Sequence, residues 1–166
     1  MIRRASIAAA ALSLAALSSA SADPCVAPRV DIADWPIVRS ARVPGFTLRL
    51  PRSFTRDSAM ADAPSARWSD ASRARFEIAH RATEARLTPF PSPDGRAAYA
   101  RCEDRVGSAT AIIISYGEGS AADTYVVHAR IRWPDGEALE VHADAPDRSR
   151  LDELLAAVRT VRRAGA

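Results

Sequence analysis

Apolar and polar residues alternate with a period of two along much of the C-terminal half of this chain. Tyr125, Val127, Ala129, Ile131 and Trp133 interleave with Val126, His128, Arg130 and Arg132, as in a strand with one face turned to a core. Pro134-Asp135-Gly136 then suits a three-residue hairpin loop with a bulge. Proline presets the first central angle, and glycine accepts the left-handed conformation. That loop sets Ile131 opposite Leu139 and Ala129 opposite Val141 on one face. On the other it sets Arg130 opposite Glu140 and His128 opposite His142. A two-residue Asp-Gly loop would pair Ile131 with Glu140 and mix the faces, so the bulged register is preferred.

Other segments carry the same period. Phe46, Leu48 and Leu50 alternate with Thr47 and Arg49 before Pro51 stops the strand. Short strands are predicted over 66–69, around Trp68, and over 75–80, where Phe76, Ile78 and His80 share a face. Two more, over 98–103 and 109–116, meet around Gly107-Ser108. The second contains Ile112-Ile113-Ile114, apolar on both faces, which predicts a strand in the middle of a sheet covered front and back. Two helical turns are predicted over 81–87, closed by Pro89, Pro91 and Pro93. A longer helix is predicted over 147–163, with Leu151, Leu154, Leu155, Val158 and Val161 in one stripe. Arg159, Arg162 and Arg163 fall near its C-terminus, where the helix dipole favours cations. Only a sheet is large enough to bury that stripe. The elements together predict an α+β fold, a mainly antiparallel sheet packed by helices on both faces.

The first residues obey a different pattern. Arg3 and Arg4 precede an apolar run over 7–17 and a small-residue exit, Ala20-Ser21-Ala22. This is the order of a cleaved secretory signal, which predicts a periplasmic or secreted protein. The pair Arg3-Arg4 also opens twin-arginine signals, though Ile2, Ala5, Ser6 and Ile7 match such a signal poorly. Cys25 follows Ala-Asp-Pro, which argues against a lipidated cysteine. No later apolar run approaches the roughly 20 residues that cross a bilayer, so no transmembrane segment is expected after cleavage. The predicted organisation is therefore a signal over 1–22, an irregular proline-punctuated lead-in over 23–44, one domain over 45–163 and a tail over 164–166.

Cleavage changes the charge. The full chain has 23 basic and 20 acidic residues; losing Arg3 and Arg4 leaves 21 against 20, a net charge of +1. Near neutrality, with Trp35, Trp68 and Trp133 scattered, argues against a nucleic-acid module. The charge is unevenly spread. Arg39, Arg42, Arg49, Arg52 and Arg56 lie between Trp35 and Arg56 with no acid among them. From Glu118 to Asp147 seven acids accompany only Arg130 and Arg132. Such segments either face one another in the fold, are solvated, or mark an anion-binding patch. Cys25 and Cys102, the two cysteines, would form a disulfide in an oxidising compartment.

Signals for chemistry are sparse. Gly117-Glu118-Gly119 lacks a third glycine, and Glu118 would repel phosphate. Ser115-Tyr116-Gly117 lacks the glycine two residues before the serine of a nucleophile elbow. A hydrolase built from Ser115, a histidine and an acid is a reading that almost any sequence permits. His128 and His142, side by side across the hairpin, are candidate metal ligands, with Glu140 or His80 to complete a set. Against that stands the plain alternative of two ordinary histidines on a polar strand face. Glu103 and Asp104 are adjacent, so on a strand they point to opposite faces.

The order of elements has a further implication. A strand ending in proline (Phe46-Thr47-Leu48-Arg49-Leu50-Pro51, then Phe54) is followed closely by Trp68. After a run of strands come the Pro-Asp-Gly hairpin and a closing helix ending Ala157-Val158-Arg159-Thr160-Val161-Arg162. This resembles the Mog1/PsbP-like superfamily, including its small exported bacterial members, over roughly 44–163. The resemblance implies an α/β/α sandwich around an antiparallel sheet and transfers no catalytic residue or cofactor. The expected function is a non-catalytic exported domain that binds an envelope protein or a small ligand. A metal or small-ligand binder using the His128/His142 face is the second reading, and a small hydrolase the third.

Overall fold

The computed structural model describes residues 24–58, 65–81, 87–118 and 124–164. The predicted signal lies outside them, as does most of the short helix expected over 81–87. Ten strands and one helix are seen among the described residues. A three-stranded antiparallel sheet has the order β1-β2-β10, formed by Ile37–Ser40, Val43–Arg49 and Arg162–Arg163. A seven-stranded antiparallel sheet has the order β3-β4-β5-β9-β8-β7-β6. Its strands are β3 (Thr55–Arg56), β4 (Ser65–Ser69), β5 (Arg75–Arg81), β6 (Ala97–Val106), β7 (Ala109–Glu118), β8 (Thr124–Arg132) and β9 (Ala138–Ala145). Helix α1 spans Arg148–Arg159.

The core lies between the inner face of the large sheet and a second layer made of α1 and β2. Phe76, Ile78, Ile113, Val127, Ile131, Leu139 and Val141 supply the sheet side. Phe46 and Leu48 of β2 and Leu151, Leu154, Leu155 and Val158 of α1 close over them. Each such side chain contributes about 1.5–3 kcal/mol when fully buried. Asp147 caps the helix by accepting from the amide of Arg150 (2.9 Å), and the Arg150 guanidinium reaches Asp70 (3.0 Å) in the β4–β5 turn. The helix start is thereby fixed to the large sheet.

The β8–β9 hairpin has the register read from the sequence: Ile131 faces Leu139, Ala129 faces Val141, Arg130 faces Glu140 and His128 faces His142. Trp133 N–H donates to the Glu137 carbonyl (2.9 Å), and Gly136 has φ +88°, which closes the three-residue loop.

Among the described residues helices on both faces are not found, and the fold there is mainly β. The one helix has 12 residues and covers the inner face only. The outer face is covered by side chains. Ile114, Tyr116 and Val126 form a small separate cluster against which Phe90, Tyr99 and Ile112 pack. A few aromatic rings shield so small a patch, and no helix is needed. β7 is an interior strand, but β9 holds the middle of the sheet. Nor does the helix reach residue 163. The Thr160 hydroxyl donates to the Ala157 carbonyl (2.7 Å) and accepts from the Arg49 amide (2.8 Å), so the last turn is tied to β2. Arg162 and Arg163 then pair with Thr47 and Phe46 as β10. The lead-in also departs from expectation, since it contains β1, paired along β2.

Strand β6 pairs only with β7 among the described residues, so its other side is an edge. Its register slips between Ala97 and Ala100, Ala98 takes φ +51°, and Arg101, Glu103 and Arg105 stand exposed along it. No helix among the described residues is long and apolar enough to cross a membrane.

Truncating Leu154, fully buried at the helix–sheet contact, should cost about 2–5 kcal/mol. Urea unfolding of Leu154→Ala measures this, and a cost within experimental error would show that the helix does not anchor the core.

Candidate functional site

On the outer face of the large sheet the register builds rows of side chains across neighbouring strands. One row runs Glu77, His142, His128, Ile114 from β5 to β7. The next runs Ala79, Glu140, Arg130, Ile112, and on the other side lies Arg75, Asp144, Val126, Tyr116. Antiparallel pairing fixes these neighbours, because directly opposed residues share a face.

Glu140 organises one side of the site. Its carboxylate accepts from Arg81 Nε (2.9 Å), from the Thr88 amide (2.8 Å) and from the Thr88 hydroxyl (3.2 Å). Arg130 Nη2 donates to the Thr88 carbonyl (2.6 Å), which holds the following segment against the sheet. Phe90 then lies under the Arg130 guanidinium, 4.3 Å from the ring centre. Since Ala79 contributes only a methyl group, a cleft of about 240 Å³ remains between Phe90, Arg81, Glu140, Glu77 and the two histidines. Glu77 is itself held by a two-pronged contact from Arg67 (2.7 and 3.0 Å).

The histidines form the opposite side. His142 Nδ1 lies 3.2 Å from His128 Nε2, and His142 Nε2 lies 3.2 Å from Asp144 Oδ1. The Tyr116 hydroxyl is 3.3 Å from the same His128 Nε2. Burial, with the neighbouring His142 charge second, pushes His128 down to about 4. The hydrogen bond to Asp144 raises His142, and the same contact lowers Asp144. At neutral pH His128 is therefore uncharged, and His142 takes up a proton before it as pH falls. Burial, as the largest cause, raises Tyr116, which stays a phenol.

This chain of groups can hold a polar ligand by hydrogen bonds, with Phe90 offering an apolar wall. The two facing nitrogens are also spaced for a shared metal ion: ligand nitrogens at 2.0–2.1 Å in a tetrahedral site lie roughly 3.3 Å apart. Among the described residues, no group of three His, Cys, Asp or Glu is arranged around one metal position. Tyr116 is the additional donor at hand.

The other residues singled out in the sequence lie elsewhere. His80 is on the inner face, 2.7 Å from Glu137 and against Phe46, so it does not join the pair. Glu140 does share the cleft, but its oxygens are taken by Arg81 and Thr88. Ser115 is buried on the opposite face of β7 from His128, and His80, which shares its face, lies three strands away on β5. Gly117 is an extended residue of β7, not part of a phosphate loop. Asp104 binds Arg159 Nε (3.0 Å), while Glu103 points outward. Cys102 is buried in the core beside α1, and Cys25 is exposed. Within the acid-rich run, Glu140 pairs with Arg81 and Arg130, and Glu137 with Arg163. Tyr116, Asp144, Arg81 and Phe90 were not singled out by sequence; the hairpin register, extended by two residues, already places Asp144 beside His142.

No protein-family model matches the sequence, and no curated protein matches it. Among solved structures, a crystal structure from Bacteroides thetaiotaomicron VPI-5482 is 13% identical with a TM-score of 0.44. The similarity spans 72% of this chain and 45% of that one, so this chain matches less than half of that protein's length. At this level the likeness assigns neither a fold nor an activity, and it does not bear on the Mog1/PsbP-like resemblance.

The opposite shifts of the two histidines give opposite pH effects. The stability linked to His142 is fully present below the ordinary value of 6.5 and is lost as pH rises through its raised value. For His128 the unfolded chain binds the extra proton, so stability falls as pH drops from 6.5 to about 4. Imidazole NMR should show His128 titrating far below His142, and Asp144→Asn should lower His142. A His128 midpoint at or above 6.5 would contradict the burial argument.

Proposed function

We propose that this is an exported, non-catalytic binding domain of the bacterial envelope, and that the His128/His142 cleft takes a small polar ligand or a partner's side chain. The observation that carries this reading is the cleft itself. It places a neutral histidine, a proton-accepting histidine, Arg81 and the Phe90 ring around about 240 Å³ of space. Pockets of this kind owe specificity to a few convergent polar groups beside an apolar wall. The proposed export rests on the leader pattern of residues 1–22. Screening a panel of small polar compounds by imidazole NMR tests the reading. Binders should shift the His128 and His142 signals, and His142→Ala should weaken them about tenfold; binders that act elsewhere on the surface would overturn it.

A metal-binding reading is favoured by one observation, the 3.2 Å separation of His128 Nε2 and His142 Nδ1. Tag-free, chelator-treated protein titrated with Zn²⁺ or Cu²⁺ should then bind one equivalent, lost in His128→Ala and in His142→Ala. Absence of stoichiometric metal removes this reading and leaves the polar-ligand reading standing.

The Cys25–Cys102 disulfide belongs to the same proposal. Arg159 donates to the Pro24 carbonyl and to the Asp104 carboxylate, which draws the residue before Cys25 towards the strand that carries Cys102. Exchange with an oxidant's disulfide would convert the two thiols to one bond while the oxidant gains two electrons and two protons. The bond would restrain the unfolded chain by roughly 4 kcal/mol. Intact mass before and after reduction should differ by two hydrogens. Alkylation of both cysteines in native, unreduced protein would refute the pairing.

A further inference from the structure

A second cleft, independent of the histidine face, lies between residues 27–32, the three-stranded sheet and the C-terminal end of α1. It has a volume of about 400 Å³. Val30, Ile32 and Ile37 give it an apolar lining, while Arg49, Arg159 and Arg162 stand at its rim; no carboxylate lines it. Ile37 is 57% exposed, and it and Val26 are the large hydrophobic residues left open among the described residues. An apolar residue that open at the mouth of a cleft is the informative kind of exposure.

The register explains how the cations gather there. Ile37 is directly opposite Arg49, Arg39 is opposite Thr47, and Thr47 is opposite Arg162. Opposed residues and their second neighbours along a strand share a face, so Arg39, Arg49 and Arg162 stand together on the outward face of the small sheet. Arg159 is answered by Asp104. Arg49 and Arg162 donate instead to neutral carbonyls, those of Trp35, Arg159 and Val161. Among the described residues no carboxylate pairs with either guanidinium, which leaves positive charge beside an apolar trough. The acid-free run between Trp35 and Arg56 thus marks a local surface.

We propose that this cleft binds an aliphatic carboxylate, a free fatty-acid-like amphiphile. Its chain would lie along Val30, Ile32 and Ile37, and its head would sit between Arg49 and Arg162. Guanidinium groups suit a carboxylate because their paired N–H donors match its two oxygens. The trough accepts methylene groups by removing them from water. A cationic amphiphile of equal length would meet the same trough but the wrong charge.

Delipidated full-length protein titrated calorimetrically with dodecanoate, below its micellar concentration, tests this. Dodecanoate should bind at one site per chain. Dodecanol and dodecyltrimethylammonium should bind at least about tenfold more weakly, and acetate not detectably. The double variant Arg49→Gln/Arg162→Gln should lose about tenfold in affinity while circular dichroism shows it still folded at the titration temperature, and Ile37→Ser, a separate surface change, should weaken binding as well. His142→Ala should leave it unaltered, which separates this site from the histidine cleft. No binding, equal binding of the cationic amphiphile, or binding that survives both sets of substitutions would overturn the proposal. So would capture of an apolar peptide ending in a free carboxylate in place of dodecanoate, which would point to a protein partner.

Discussion

The contact on which this fold depends is the burial of one leucine-rich helix face, together with β2, against the inner side of a seven-stranded sheet. Leu151, Leu154, Leu155 and Val158 sit mainly on β8 and β9, with β6 and β2 at the margins of the contact. The sheet residues alternate along their strands, so filling the inner face leaves every second position free for the outer one. Both clefts follow from this arrangement. The histidine cleft is on the side of the large sheet that the helix does not cover. The arginine-rimmed cleft lies where the helix ends and the chain turns back along β2.

Register is what converts the core into a site. The Pro134-Asp135-Gly136 loop sets the pairing of β8 with β9, and β5 continues it on the far side. A slip of one residue would send His128 or His142 inward and put an aliphatic side chain in its place. The chemistry of the outer face, including the opposite displacement of the two imidazoles, thus rests on the geometry of a single turn some distance away. Glu140 illustrates the same economy: one carboxylate anchors Arg81, Thr88 and Arg130, and so holds the segment whose Phe90 ring walls the cleft.

What could be read in advance was local and periodic. The alternation from Tyr125 to Trp133 and the chemistry of the loop gave the hairpin residue by residue, and with it the meeting of His128 and His142. The apolar stripe of α1 was equally plain. Its end was not, because Val161 continues the helical spacing while Thr160 is captured by a strand distant in sequence. The cover over Ile112–Ile114 escapes the pattern for a related reason. A run that is apolar on both sides demands shelter on both sides, but its pattern does not say whether a helix or a few aromatic rings provide it. Phe90 and Arg81 reach the cleft only through tertiary packing of a proline-rich segment, whereas Asp144 and Tyr116 follow from carrying the strand pairing a little further.

The bulged, charged margin of β6 bears on how the molecule behaves in company. A sheet's open border presents unsatisfied peptide groups to any passing extended chain. Here the slip between Ala97 and Ala100 bends that border, and alternating arginine and glutamate side chains punctuate what remains of it. A second copy approaching along the border would meet a kinked outline and hydrated charged side chains that pairing would have to strip of water. The arrangement therefore disfavours the strand-to-strand zippering through which crowded β proteins clump.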